Sequence, residues 1–75
     1  MNDRFQKWLS LSGAAAYLDV SDDTILRRAI PFDEKNPDGW VEGKIRWKYL
    51  KLGQNTRQDR RYIVDDLDRL LVPAV

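Results

Sequence analysis

Two residue types are missing from this chain of 75 residues, cysteine and histidine. Without cysteine there is no disulfide, no thiolate metal ligand and no nucleophilic thiol. Without histidine the commonest general base and the commonest metal ligand are gone as well. No apolar run approaches the roughly 18 to 20 residues that span a bilayer. The first nine residues, Met1 to Leu9, are charged and carry no apolar core of a signal peptide. The chain is therefore expected to be soluble and cytoplasmic, with no membrane contact.

What is present fits one domain over residues 1–75. A chain this short buries only a modest core and is a poor frame for a deep catalytic cleft. Apolar residues make up 43% and charged residues 33%, a globular balance rather than a disordered one. No enzyme, no cofactor, no metal and no small-molecule substrate are expected.

The formal net charge is +1, but it is unevenly spread. Residues 44–61 hold Lys44, Arg46, Lys48, Lys51, Arg57, Arg60 and Arg61 against Asp59 alone. The segments on either side are net acidic. Positive charge gathered in one stretch is the distribution of an electrostatic footprint for phosphate. A solvated basic surface strand is the plainer alternative.

Local signals divide the chain. Ser10 is a good N-cap, and Leu11, Ala14, Ala15 and Leu18 follow at the spacing of one helical face. Gly13 weakens this helix. Asp19-Val20 reads as a tight turn, with Asp tolerating a left-handed backbone. Ser21 caps a second helix, with Asp22 and Asp23 offsetting its dipole. Ile25 and Ala29 share a face, Leu26, Arg27 and Ile30 point outward, and Pro31 ends the helix. Pro31 to Gly43 reads as a loop that packs in part through Phe32 and Trp40. Ile45, Trp47 and Tyr49 alternate with Arg46 and Lys48, which is a strand. The alternation slips at Leu50, so a bulge is expected near Tyr49 or Leu50. Residues 53–59 form a polar hairpin tip and Arg60 to Val64 the returning strand. Asp65-Asp66 start a short helix with Leu67, Leu70 and Leu71 on its apolar face.

Two short helices joined by a tight turn, each with its own serine cap, match a helix-turn-helix. The second is too short to stand alone and needs the first as a brace. That leaves its outer face free for a major groove, although an ordinary helical corner in a core has the same pattern. The run Trp8-Leu9-Ser10, then Ala14-Ala15, Tyr17-Leu18, Val20-Ser21, Thr24-Ile25 and Arg27, resembles the small winged helix-turn-helix proteins of phage and mobile elements. These are the excisionases, or recombination directionality factors, and the related regulators of the mercury-resistance-regulator superfamily. Arg60-Arg61-Tyr62, Asp65-Asp66-Leu67 and Leu70-Leu71 resemble the end of the same domain. The likeness runs from Trp8 to Leu71. Asp19 stands where the family often has glycine, the Arg28-Ala29 region replaces an aromatic, and the 31–43 connection is longer than usual.

The resemblance implies an α+β winged helix-turn-helix with three short helices and a two-stranded β-wing. It implies a sequence-specific duplex DNA-binding protein, an excisionase that bends attachment-site DNA and steers an integrase, with further copies of itself along the DNA. A prophage-type transcription regulator with the same fold is one alternative. A protein-interaction module whose basic wing meets an acidic partner is another.

On the recognition helix the candidate DNA contacts are Ser21, Asp23, Thr24, Arg27 and Arg28. Arginine can bond guanine O6 and N7 in bidentate fashion. The aspartates either serve the helix dipole or accept from a cytosine amine. In the wing the candidates are Lys48, Lys51, Gln54, Asn55, Thr56, Arg57, Arg60 and Arg61. Arg57 at the tip suits a narrow minor groove. Asp22-Asp23 and Asp65-Asp66 could be read as acid/base or magnesium pairs, but adjacent residues on a helix do not face each other. Of Trp8, Trp40 and Trp47, at least two fit core or interface packing better than stacking on single-stranded bases.

Overall fold

The computed structural model describes residues 7–51 and 59–74. Within them the chain is a small α+β fold of three helices and a four-stranded sheet. Its first strand, β1 (Trp8–Leu9), runs straight into the Ser10 cap of α1 (Leu11–Leu18). The Ser10 hydroxyl accepts the Gly13 N–H at 3.1 Å. A Cβ on Gly13 would lie 3.2 Å from Ser10 Oγ and 3.4 Å from Leu9 Cβ. Glycine, unfavourable for helix propensity, is therefore what lets β1 lie close against the helix start.

Helix α1 ends on Asp19 in the left-handed region, φ 57° and ψ 49°. The Asp19 N–H donates to Ala16 O at 3.1 Å and the Val20 N–H to Ala15 O at 2.9 Å. This paired closure satisfies carbonyls that the helix end would otherwise orphan. Ser21 then caps α2 (Asp22–Arg27), its hydroxyl accepting the Thr24 N–H at 3.3 Å. Ala14 and Ala15 are buried, and their small side chains let α2 bring Ile25, fully buried, against α1. Each such aliphatic side chain contributes about 1.5–3 kcal/mol on burial.

Helix α2 ends sooner than the sequence suggests. Arg28 leaves the helix at φ −104° and ψ 3°, and Ala29–Pro31 form strand β2 instead. Pro31 disfavours a helical conformation at Ile30, and Ile30 is itself β-branched. Strand β3 (Ile45–Leu50) pairs with β2 in parallel and with β4 (Asp59–Ile63) in antiparallel, and β1 pairs antiparallel with β4. The order is β1-β4-β3-β2, so the expected two-stranded unit is the centre of a wider sheet. The parallel pairing also accounts for the long 31–43 connection. The chain must travel back along the strands before it can start β3 in the same direction.

No bulge interrupts the described ladder: the register is regular from Trp47↔Tyr62 to Leu50↔Asp59. Leu50 therefore faces the side opposite Tyr49. One face carries Ile45, Trp47, Tyr62, Leu9 and Ala29, which pack with Ala14, Ala15, Ile25 and Leu67 in the core. The other carries Trp8, Arg46, Lys48 and Ile63 and is covered by the 31–43 connection. There Phe32 sits edge-on to Trp8 at 5.5 Å, and its N–H donates to Trp47 O at 2.9 Å. Trp40 is half-buried beneath Arg69, whose guanidinium lies 4.9 Å from the ring centroid.

Helix α3 (Val64–Arg69) closes the core with Leu67 and buries Asp66 completely. Asp66 accepts from Arg46 Nε at 2.8 Å, Arg46 Nη2 at 3.0 Å and the Arg46 backbone N–H at 2.9 Å. Arg46 Nη1 donates to Pro37 O at 2.8 Å, and Arg69 adds a further bond to Asp66 at 3.1 Å. Tyr17 ties α1 to α3 by donating to Asp68 Oδ1 at 2.5 Å. No helix among the described residues is long and apolar enough to cross a membrane.

Candidate nucleic-acid interface

The outer surface of α2 is charged but internally paired. Arg27 Nε lies 2.7 Å from Asp23 Oδ2 one turn earlier, with side chains 77% and 65% exposed. Helix periodicity sets this i, i+4 contact, and in water it contributes a few tenths of a kcal/mol. Asp23 is thus a partner of Arg27 as well as of the helix dipole. Ser21 Oγ and Thr24 Oγ1 are 3.0 Å apart within the cap.

On one flank of α2 a depression is lined by Thr24, Arg27, Arg28 and Lys44. Arg28 is held there by donating to the Gly43 carbonyl at 3.2 Å. Gly43 has φ +80°, a backbone region that favours glycine. That turn carries the chain from the 31–43 connection into Lys44 and β3. Three cations and a hydroxyl converge on open surface, an arrangement suited to an anionic oxygen. Lys44 was legible only as part of the basic run; nothing local marks its meeting with α2.

On the opposite flank a groove runs between the two helix starts and β4. Ser10, Ser12, Asp22, Leu26, Arg60 and Tyr62 are among its lining residues. Arg60 lies 4.0 Å over the Trp47 ring centroid, which steadies its guanidinium. Asp22 lies at this groove, so the charge there is mixed.

The basic residues proposed for the strands do not act as one patch. Successive strand residues point to opposite faces. Arg60 shares the helix-facing side with Trp47 and Tyr62, whereas Lys48 and Arg61 face the other way. Lys48 is engaged on that back side: its ammonium is 2.8 Å from Glu34 and about 5 Å from the Trp8 and Phe32 rings, at 5.1 and 5.0 Å. Arg61 donates to the Arg60 carbonyl at 2.9 Å. Lys51 is exposed at the end of β3. Gln54, Asn55, Thr56 and Arg57 lie outside the described residues.

Arg46 is removed from the electrostatic footprint altogether. It is 4% exposed and neutralised by Asp66, and the hydrogen bonds it donates to that carboxylate raise its pKa above the ordinary arginine value. The basic run thus overstates the charge available to a ligand. The two acidic pairs also separate in role. Asp65 is exposed while Asp66 is buried in an ion pair, so they do not form a dyad.

No family model, no curated protein and no solved structure matches the chain.

Proposed function

We propose that this protein binds duplex DNA sequence-specifically as a winged helix-turn-helix, with α2 in the major groove and the β3–β4 pair as the wing. The observation that carries the reading is the cluster of Thr24, Arg27, Arg28 and Lys44 beside a short capped helix whose outer face is open. Helix α1 supplies the brace that a six-residue helix needs. Arg28 and Lys44 reach phosphates on one side of the groove, and Arg60 serves the other side.

Within that reading the protein is an excisionase. It acts by binding alone, with no chemical step. Several copies line up on repeated sites, bend the attachment-site DNA and direct an integrase towards excision. This role rests on the likeness of the Trp8–Arg27 and Arg60–Leu71 runs to that family. Its place is the cytoplasm, on the nucleoid of a cell carrying a prophage or mobile element.

The test is binding to duplexes bearing one, two or three direct repeats of a selected site, followed by bend mapping. Cooperative filling with a bend at each repeat is the expected result. Tight binding to one palindromic site without bending would instead assign the fold to a transcription regulator. Binding to an acidic protein in preference to any duplex would make it an interaction module.

A further inference from the structure

The side chains that the sequence nominates as base readers on α2 are all bonded within the protein. Arg27 is paired to Asp23 at 2.7 Å, Thr24 Oγ1 contacts Ser21 Oγ at 3.0 Å, and Arg28 donates to Gly43 O at 3.2 Å. These bonds take up one nitrogen of each arginine and the Thr24 hydroxyl, so part of their capacity for a base is already committed. Leu26 is different. Its neighbour Ile25 is fully buried, but Leu26 is 45% exposed, on the same short helix. It lines the groove between α2 and β4 together with Ser10, Ser12, Asp22, Asp59 and Arg60. Hydroxyls and a guanidinium that can reach phosphate oxygens, and two carboxylates, thus share the groove with an apolar side chain. Contact by Leu26 breaks no hydrogen bond and removes apolar surface from water.

Base edges in the major groove offer one apolar group, the C5-methyl of thymine. We propose that Leu26 is a base-reading residue that selects thymine through that methyl. This rests on the duplex-DNA reading above and adds a specificity that none of the charged candidates supplies.

The experiment uses the full chain and a duplex selected by it from a randomised pool. Each thymine of that duplex is replaced singly by deoxyuridine, which deletes the methyl and leaves the pairing edge intact. At one or two positions affinity is expected to fall about fourfold, the effect of one buried methyl. In Leu26→Ala and Leu26→Gln the same exchange should change affinity by less than about 1.5-fold, with overall folding checked by circular dichroism. The uracil scan on the unsubstituted protein needs no variant to fold. A bound duplex indifferent to every exchange overturns this inference alone, as does a uracil effect of undiminished size in both variants. A pool that yields no bound duplex overturns the DNA reading and the inference together.

Discussion

Arg46–Asp66 at 2.8 Å and Asp23–Arg27 at 2.7 Å are aspartate–arginine pairs of nearly equal length. The first lies behind the sheet, 4% and 0% exposed; the second lies on α2, 77% and 65% exposed. Each guanidinium nitrogen of the buried pair donates a hydrogen bond, to Asp66 or to Pro37 O, so the pair serves the fold. The exposed pair is solvated and easily opened, so its arginine remains available to a ligand. Formal charge alone does not distinguish them. Burial decides which charges hold the protein together and which can be lent to a partner.

The comparison can be broken most severely at Asp66. Asp66→Ala leaves the Arg46 guanidinium buried and unpaired, and should cost about 3–5 kcal/mol in chemical denaturation. That is a large fraction of the stability of so small a chain, at roughly 0.05–0.15 kcal/mol per residue. Replacing both partners, Arg46→Met with Asp66→Leu, should recover about half of the loss or more, because no charge is left stranded. A loss under about 1 kcal/mol in the single variant would mean that the pair is far wetter than its burial indicates.

Arg27→Ala should cost no more than about 0.5 kcal/mol by the same denaturation measurement. On selected duplexes it should instead change the preferred base at one position. Equal weakening of all sequences would mark Arg27 as a phosphate contact.

The smallest effect concerns Tyr17. Its hydrogen bond to the Asp68 carboxylate raises its pKa above the ordinary 10.0, with desolvation and the charge of Asp68 adding to the shift. A raised value in the folded state means that the contribution is complete below about pH 10 and is lost as pH climbs through the folded value. The stability difference between the unsubstituted protein and Tyr17→Phe should therefore shrink as pH rises above about 10. A constant difference across that range would show that the bond does not couple to ionisation.

Much of the helical half was legible because its signals are local. Ser10 and Ser21 mark their helices through a hydroxyl that reaches an N–H three residues on. Asp19 tolerates the left-handed turn, and Ala14 and Ala15 leave room for α2. Strands β1 and β2, of two and three residues, are too short for a period-two pattern to register. Ala29 and Ile30 also continue a plausible helical face, and only the pairing with Ile45 and Arg46 draws them into the sheet. The Arg46–Asp66 pair joins residues 20 apart through a fold that neither residue signals. At the candidate site, Thr24, Arg27 and Arg28 do come together, because one helix end carries them. Lys48 is equivalent to Arg60 in the basic run of the sequence, yet strand alternation sends it to Glu34 on the other side.

The central claim is that the exposed cations around α2, not the basic run as a whole, form a contact for duplex DNA. The most direct test is the affinity for a selected duplex measured across a range of salt concentrations. Phosphate contacts by Arg28, Lys44 and Arg60 predict that log affinity falls against log salt with a slope of about −2.7 or steeper. A slope shallower than about −1 would mean that these residues do not meet the phosphate backbone, and would contradict the account.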